Sequence, residues 1–347
     1  MNQVVQFTQS ANKLELRLDF RRYTLPFRHA VRTAHGSWAA REGLFVRVER
    51  PDGTAGFGEA APVPGFGTDT VDRAEGECRA LGGTIDEAVL SRVEGASPAL
   101  RNALSNALSE GTWAPRHTSL GVAALLPAGR QALAEAPPRA EAGFRVFKWK
   151  VGVGAADDEI AILDDLLAAL PSGSTVRLDA NGSWDRRTAS LWLDRAADRP
   201  VEFVEQPVAP SAKGADDTLL GLASDYPVPL ALDESLVADG DVVRWLDLGW
   251  KGFFVIKPLL LGNPGAVLNR LEKAGARVVF SSCLETALGA RSSLRLAFGW
   301  PGGTAALGFG VWPLFMDHRF DGPSQAPFIA VNDFERINPE ALWSAVN

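Results

Sequence analysis

Residues 175–179 read Thr-Val-Arg-Leu-Asp, a strand-like run that ends in an acidic residue, and the same arrangement recurs twice. The later runs are residues 201–205, Val-Glu-Phe-Val-Glu, and residues 228–233, Val-Pro-Leu-Ala-Leu-Asp. The acids that end the three runs are Asp179, Glu205 and Asp233. They are 26 and 28 residues apart. A strand-loop-helix-loop unit of a (β/α) barrel has about this length, because eight units occupy roughly 250 residues. The spacing therefore predicts consecutive barrel units with the three acids together at the carboxyl ends of parallel strands.

Apolar runs alternate with helical segments from about residue 118 onward, which is typical of a parallel sheet covered by helices. The candidate strands are 119–126, 144–151, 175–180, 201–206, 228–234, 253–258, 277–282 and 304–309. The helical segments between them include 157–170, 185–198, 264–274 and 285–298. Eight candidate strands between residues 119 and 309 favour an α/β barrel over an open sheet. The first helix has no glycine-rich phosphate loop, which argues against a dinucleotide-binding domain.

The N-terminal part of the chain differs from the rest, because it combines half-buried strand patterns with helical signals in an α+β arrangement. Ser97 and Pro98 predict a helix start, as N-cap and first helical residue. Two irregular stretches, 26–38 and 56–67, are interpreted as functional loops that form a lid. The predicted division is a capping domain at 1–112, a barrel at 113–321 and a C-terminal segment at 322–347 that packs back on the capping domain.

Composition narrows the class of protein. The 347 residues carry a formal net charge of −7 without a block of basic residues, so nucleic acid is not an expected partner. The two cysteines, Cys78 and Cys283, form no paired pattern, which fits a reducing compartment. The N-terminus lacks signal-peptide features, and no apolar run approaches the roughly 20 residues of a membrane span. We therefore expect a cytoplasmic protein with a small-molecule partner and no membrane partner; the sequence leaves the oligomeric state open.

The acidic residues and the lysines together indicate a metal site with a proton-transferring base beside it. Three carboxylates from neighbouring strands suit a hard cation such as Mg²⁺, whereas the four scattered histidines do not indicate zinc. Lysines occupy corresponding places in the flanking strands, and these are Lys148, Lys150 and Lys257. A metal ion can stabilise the enediolate formed when a proton leaves the carbon next to a carboxylate, and a neutral lysine can take that proton. The pattern predicts Asp179, Glu205 and Asp233 as metal ligands and Lys150 as the base. Lys257, across the barrel, would be a second base or a cation near the enediolate.

Neighbouring residues are expected to support this site. Lys148 points to the same side of its strand as Lys150, because side chains two residues apart share a face. Asn181 either supports Asp179 by hydrogen bonding or caps the next turn. Glu234, next to Asp233, is either a partner of a lysine or a surface residue.

The motifs around these residues resemble those of the enolase superfamily, in particular its muconate-lactonizing subgroup. Enolase-superfamily sites use a Lys or His base with one or two Mg²⁺ ions. The segments that carry the resemblance are 147–152 for a Lys-x-Lys strand, 178–182, 204–207 and 232–235 for metal-ligand strands, and 256–258 for the opposed lysine. The resemblance implies a modified (β/α)8, TIM-type barrel of the (β/α)7β form with an α+β capping domain. It also implies Mg²⁺ as cofactor, with Mn²⁺ as a candidate substitute.

Within the subgroup, the chain is most similar to the o-succinylbenzoate synthase family, through segments 32–36, 58–67, 281–286 and 308–315. This implies syn-dehydration of 2-succinyl-6-hydroxy-2,4-cyclohexadiene-1-carboxylate to o-succinylbenzoate, a step of menaquinone or phylloquinone biosynthesis. Lys150 would move the proton and Lys257 would stabilise the enediolate. The alternative is an N-succinylamino acid racemase or dipeptide epimerase, which uses the same two lysines. Candidate anchors for the succinyl tail are Arg32, Arg177, Ser281 and Ser282.

Overall fold

The computed structural model describes residues 16–33, 36–63, 65–86, 93, 95–109 and 113–346. The first four strands form an antiparallel sheet in the order β3-β2-β1-β4. Their bounds are Leu16–Thr33 for β1, Gly36–Glu49 for β2, Ala55–Ala60 for β3 and Thr84–Ile85 for β4. Helices α1, Val71–Leu81, and α2, Pro98–Leu108, cover this sheet, and Ser97 caps α2 by accepting a hydrogen bond from the Leu100 amide, as predicted.

The long β1–β2 hairpin corrects the interpretation of residues 26–38 as an irregular lid loop. Pro26 pairs with Ala40, and the backbone of Arg32 pairs with Ser37 near the tip. The pairing register shifts between Pro26 and Val31, and this shift interrupts the apolar–polar alternation by which a half-buried strand is predicted. Residues 34 and 35, which the sequence analysis placed in this lid, lie outside the described residues.

Seven parallel strands, β6 to β12, lie side by side in chain order and form the wall of the barrel. Their bounds are Ala124–Leu126, Val146–Lys150, Thr175–Asp179, Val201–Glu205, Leu230–Leu232, Phe253–Ile256 and Arg277–Phe280. Residues 307–308 close the barrel, because Gly308 bridges to Ser281 at the end of β12 and Leu307 bridges to Val122 before β6. We call residues 307–308 the seam. The predicted eighth strand, 304–309, is thus reduced to single bridges.

The first predicted strand of the barrel differs from the structure in extent. The predicted strand 119–126 is divided into β5, Ser119–Gly121, and β6, because β5 pairs instead with the C-terminal strand β13, Phe328–Ala330, in antiparallel fashion. The helices on the outside of the barrel are α3 Gln131–Glu141, α4 Ala156–Ala169, α5 Arg186–Ala196, α6 Ala215–Asp225, α7 Asp239–Asp247, α8 Pro264–Lys273 and α9 Ala287–Gly299. Four of them, α4, α5, α8 and α9, match the predicted helical segments to within about two residues.

The C-terminal segment contains two short helices, α10 Val331–Glu335 and α11 Pro339–Ala345. The Arg21 guanidinium of β1 donates hydrogen bonds to the carbonyl oxygens of Trp343, at 2.9 Å, and Val346, at 2.6 Å. It also lies over the Trp343 ring, 4.6 Å from its centroid. The C-terminal segment therefore contacts the capping sheet through Arg21 and the short strand β5 through β13. No helix in the described part of the chain is long and apolar enough to cross a membrane.

Candidate active site

A cavity of about 290 Å³ lies at the carboxyl ends of the barrel strands, where the capping domain meets the barrel. Its charged and polar lining consists of Lys148, Lys150, Asp179, Asn181, Asp233, Glu234, Lys257 and Ser282. Its apolar lining consists of Trp38, Val63 and Phe66 from the capping domain and Leu125, Leu126, Pro127, Ala128, Cys283 and Leu284 from the barrel. The capping domain thus supplies the aromatic side of a site whose ionisable groups come from the barrel.

Strand register brings the predicted lysines and acids together. Lys150 of β7 is paired with Asp179 of β8, and Asp179 with Glu205 of β9. The Lys148 ammonium contacts Asp179 Oδ2 at 2.9 Å and Glu205 Oε1 at 2.7 Å. Burial alone would lower the pKa of Lys148, but the two adjacent carboxylates outweigh it and hold the pKa above the ordinary value for lysine. Lys148 therefore remains a cation, as its predicted supporting role requires.

Lys150 and Lys257 have different surroundings. Lys150 lines the cavity and contacts no carboxylate within the described residues. Lys257 lies against Asp233 Oδ1 and 5.1 Å from the centroid of the Phe66 ring. Burial lowers the pKa of Lys257 to about 8. The structure thus places two lysines in one cavity, one of them without a carboxylate partner and the other held beside an acid.

Asn181 and Glu234 form a pair beside Asp179. The Asn181 amide nitrogen of the main chain donates to Asp179 Oδ1 at 3.1 Å, and its side-chain Nδ2 donates to Glu234 Oε1 at 3.1 Å. The first contact comes from the main chain and belongs to a turn that the Asp179 carboxylate caps, whereas the Asn181 side chain contacts Glu234 and not Asp179. Burial, followed by the negative charges of Asp179 and Glu205, raises the pKa of Glu234 to about 7. Glu234 is therefore a cavity residue that, among the described residues, is paired with an amide and not with a lysine.

Gln206 links the ends of strands β9 and β10 and was missed in the sequence. Its Oε1 accepts from the amides of Asp233, at 3.0 Å, and Ser235, at 3.1 Å, while its Nε2 donates to Ser235 Oγ at 2.9 Å. Gln206 and Asn181 both have positive φ, 37° and 46°, a conformation uncommon outside glycine. The loops after the acidic strand ends are therefore held by side-chain hydrogen bonds in conformations that the chain rarely adopts.

The donor set fits a hard divalent cation. Asp179 and Asp233 line the cavity, while Glu205 is buried behind Lys148. Glu234 adds a buried oxygen, Oε2, that has no hydrogen-bond partner. Each of the three predicted metal ligands, Asp179, Glu205 and Asp233, contacts a lysine ammonium. Within the described ranges, no three His, Cys, Asp or Glu side chains are close enough together to form a metal site as they stand. Oxygen donors of this kind are those that Mg²⁺ prefers.

The predicted substrate anchors fit the structure less well. Arg177 does not line the cavity; its guanidinium pairs with Glu202 at 2.8 Å, donates to the Ala306 carbonyl at 2.7 Å and lies over Phe203. This placement argues against an anchoring role, because the barrel interior already satisfies the charge. Ser281 likewise does not line the cavity and donates to the Gly308 carbonyl oxygen.

Ser282 lines the cavity, but its hydroxyl is engaged. It donates to Glu285 Oε2 at 2.8 Å and accepts from the Leu284 amide at 2.9 Å. Arg32 is described only through its backbone, in the hairpin. Sequence spacing predicted which acids and lysines meet at one end of the barrel, but it did not reveal which strand-end hydroxyl groups and guanidinium groups already have partners.

Comparison with known proteins identifies the family. Residues 131–327 match the family model described as enolase C-terminal domain-like, and residues 17–110 match the one described as MenC, N-terminal domain. A relative from Thermosynechococcus vestitus, named o-succinylbenzoate synthase, is 41% identical over 85% of this chain and 92% of its own length. The chain belongs to the o-succinylbenzoate synthase family of the enolase superfamily. The relative of that name from Yersinia pseudotuberculosis is 31% identical over 80% of this chain and 84% of its own length.

Solved structures agree with the family. The o-succinylbenzoate synthase of Thermosynechococcus elongatus BP-1, complexed with Mg in the active site, superposes with a TM-score of 0.81 at 36% identity, covering 95% of this chain and 100% of that chain. The L-Ala-D/L-Glu epimerase of Bacillus subtilis superposes with a TM-score of 0.79 at 22% identity, over 92% of this chain and 96% of that one. The epimerase shares the fold; the synthase shares the fold and the family. The modified TIM-type barrel with a capping domain is thereby confirmed.

In this member of the o-succinylbenzoate synthase family, two buried ionic residues of the capping domain, Glu59 and Arg41, contact the segment 283–289 next to the cavity, and the sequence did not indicate these contacts. Glu59 accepts from Tyr23 Oη at 2.5 Å, Thr286 Oγ1 at 2.6 Å and the Gly289 amide at 2.8 Å, so it holds the first turn of α9. Burial and the Glu59 charge raise the pKa of Tyr23 well above its ordinary value. Arg41, 1% exposed, contacts the Cys283–Leu284 wall of the cavity. The sequence signal that could have indicated these contacts is a charged residue, Glu59 or Arg41, within a strand, because charged side chains are rarely buried without partners.

Proposed function

We propose that this protein is an o-succinylbenzoate synthase, a carbon–oxygen lyase that dehydrates 2-succinyl-6-hydroxy-2,4-cyclohexadiene-1-carboxylate to o-succinylbenzoate. One observation carries the proposal: Lys150 and Lys257 line a single cavity together with Asp179 and Asp233. Removing a proton next to a carboxylate requires a base and stabilisation of negative charge in one place. The 41% identity to a relative of that name supports the assignment of the substrate.

Asp179, Glu205 and Asp233 would hold a Mg²⁺ ion, which supplies stabilisation of the negative charge that develops on the substrate carboxylate. The lysine ammonium groups against these carboxylates support a place for positive charge there. The Mg-bound structure of the Thermosynechococcus relative is the second support. Mn²⁺ is a candidate substitute, because it accepts similar oxygen ligands.

Lys150 takes the proton from the ring carbon that carries the carboxylate and returns it to the departing hydroxyl on the same face. Its lack of a carboxylate partner in the described structure leaves its nitrogen available for this transfer. Lys257, as a cation beside Asp233, stabilises the negative charge of the enediolate. Trp38, Val63 and Phe66 cover the cavity from the capping domain and exclude water from the proton transfer.

Steady-state assay of the purified protein tests the proposal directly. With Mg²⁺ and the cyclohexadiene carboxylate, we expect the protein to form o-succinylbenzoate. The absorbance of this product measures the rate. Excess EDTA should abolish the reaction, and added Mg²⁺ or Mn²⁺ should restore it, because the carboxylates alone cannot neutralise the enediolate. Absence of product from the metal-loaded protein would overturn the assignment, and a rate that EDTA does not change would exclude the metal.

A racemase or epimerase activity on N-succinylamino acids or dipeptides is the second candidate. The observation in its favour is that two lysines line one cavity, as proton transfer on two faces of a carbon requires. Incubation of an N-succinylamino acid in D₂O, with NMR detection of exchange at the α-carbon, tests it. Fast exchange without dehydration of the cyclohexadiene substrate would make this candidate the main activity.

A further inference from the structure

Arg41 joins the Ala61–Pro62 segment, which precedes the cavity residue Val63, to the Cys283–Leu284 wall of the cavity through main-chain carbonyl groups. It lies on β2, is 1% exposed and forms no ion pair among the residues that the structure describes. Its guanidinium donates to the carbonyl oxygens of Ala61 and Pro62, the latter at 2.6 Å, in the capping domain. It also donates to the carbonyl oxygens of Leu284, at 3.1 Å, and Cys283, at 3.5 Å, in the barrel. A buried cation is costly unless it is hydrogen-bonded, and these carbonyl groups offset that cost for Arg41.

Leu284 is held in a conformation that leucine rarely adopts. Its φ is 65°, in the left-handed region, which is sterically unfavourable for a residue with a Cβ atom. The Arg41 contact to its carbonyl oxygen and the Ser282 contact to its amide fix it on both sides. Leu284 lines the cavity. A strained residue at a cavity wall is where a functional constraint is expected.

Within the described structure, the segment Ser282 to Leu284 offers no free N–H or O–H donor to a ligand. The Ser282 amide donates to Gly308, the Cys283 amide to Glu285 Oε2 and the Leu284 amide to Ser282 Oγ. The Ser282 hydroxyl donates to Glu285 Oε2 as well. This wall therefore recognises a ligand by shape and apolar contact, and its position decides what fits.

We propose that Arg41 is a positioning residue that sets the distance between two sides of the cavity, with Val63 and Phe66 on one side and Cys283 and Leu284 on the other. It thereby selects substrates whose non-reacting chain contains an apolar methylene segment. The inference rests on the proposed function, in which that chain is the succinyl tail. Arg41 does not touch the reacting atoms. It acts through Leu284, which it holds in the left-handed conformation against the tail.

The Arg41→Met variant removes the carbonyl contacts and keeps the length of the side chain. We expect KM for the cyclohexadiene carboxylate to rise about tenfold with kcat changed by less than about threefold, because uniform binding is lost while the lysines stay in place. Arg41→Lys keeps the charge and some donors and should recover part of the KM. The control is Arg47→Met on the same strand, whose guanidinium pairs with Glu49 and which does not line the cavity, and it should leave both constants unchanged.

A double-mutant cycle with Leu284→Gly separates positioning from general structural support. Glycine adopts positive φ without strain, so Arg41→Met should raise KM by less than about twofold in the Leu284→Gly background. The melting temperature of each variant is measured in parallel, and Arg41→Lys replaces Arg41→Met in the cycle if the latter does not fold. Unchanged KM in a folded Arg41 variant, or equal KM effects in both backgrounds, would overturn the proposal. A wild-type protein that forms no o-succinylbenzoate would instead overturn the proposed function.

Discussion

Lys148 and Lys150 show how two identical side chains on one strand have different surroundings. Both face the cavity from β7, but Lys148 is enclosed by Asp179 and Glu205, whereas Lys150 has no carboxylate partner within the described part of the chain. An ammonium between two carboxylates keeps its proton. The lysine without such partners is the one that can exchange a proton with a substrate.

Substitution of Lys150 by alanine is expected to lower kcat by about 10²- to 10⁴-fold, the usual contribution of a general base. Folding should be retained, because no carboxylate loses a partner. The comparison is kcat and far-ultraviolet circular dichroism against Lys251→Ala, a substitution of an exposed lysine. Wild-type turnover by Lys150→Ala would remove Lys150 from the mechanism.

Arg177 gives the opposite kind of prediction, because its partners are structural. Arg177→Met leaves Glu202 and the Ala306 carbonyl without their donor, and we expect a loss of about 2 kcal/mol in the free energy of unfolding. KM should change by less than about twofold. Urea unfolding and steady-state kinetics are compared with those of Arg186→Met, whose guanidinium is exposed. A large rise in KM at unchanged stability would reinstate Arg177 as an anchor.

At the residue level, the acids and lysines were predictable and the supporting contacts were not. Strand alternation and unit spacing are local rules, and they located Asp179, Glu205, Asp233 and Lys257 at one end of the barrel. Arg41 instead meets Leu284 across 243 positions of the chain. A contact of that kind depends on how two domains meet, and no local rule gives that.

Helix α9 depends on a residue from another domain at its first turn. The amides of Thr286 and Gly289 and the Thr286 hydroxyl all donate to the Glu59 carboxylate. A negative charge at a helix N-terminus is stabilised by the free amide groups and by the helix dipole. The contact therefore fixes α9, and with it the end of β12, against the capping sheet.

The Glu59→Gln substitution is expected to lower the free energy of unfolding by about 2 kcal/mol, because the charge is lost and the new amide group faces hydrogen-bond donors. Glu49→Gln, at a more exposed ion pair on β2, should change it by less than about 0.5 kcal/mol. Denaturant unfolding followed by fluorescence measures both. Equal effects of the two substitutions would show that the Glu59 contact adds nothing to stability.

Helices and strands were predictable where the apolar residues recur at a regular spacing along the sequence. Helix α3 was missing from the predicted segments because Pro137 and Pro138 lie inside it, and proline normally argues against a helix interior. The β1–β2 hairpin was missed because its register shift removes the alternation near the tip. The barrel strands were found because they are buried on both faces and read as apolar runs.

On the scale of the whole molecule, the site belongs to neither domain alone. The barrel contributes the ionisable groups, and the capping domain contributes Trp38, Val63 and Phe66. Glu59 and Arg41 connect the two from the capping side, and Arg21 binds the carbonyl groups at the end of the chain. The sequence predicted two domains because their patterns differ, but the interface between them emerged only from the structure.

At the seam, residues 307–308, the barrel has fewer hydrogen bonds between neighbouring strands than elsewhere around its circumference. Most barrel strands are paired along their length with a strand on each side. In the seam, by contrast, the amide of Leu307 donates one hydrogen bond to the Gly121 carbonyl and the amide of Gly308 donates one to the Phe280 carbonyl. Local opening starts where the fewest bonds must break, so the amide protons of Leu307 and Gly308 should exchange with deuterium faster than those of β8. The Ser282 amide bonds to Gly308 from the cavity side. Bound o-succinylbenzoate should therefore slow exchange at Gly308, a residue outside the cavity lining, and the seam becomes a reporter of occupancy that needs no turnover.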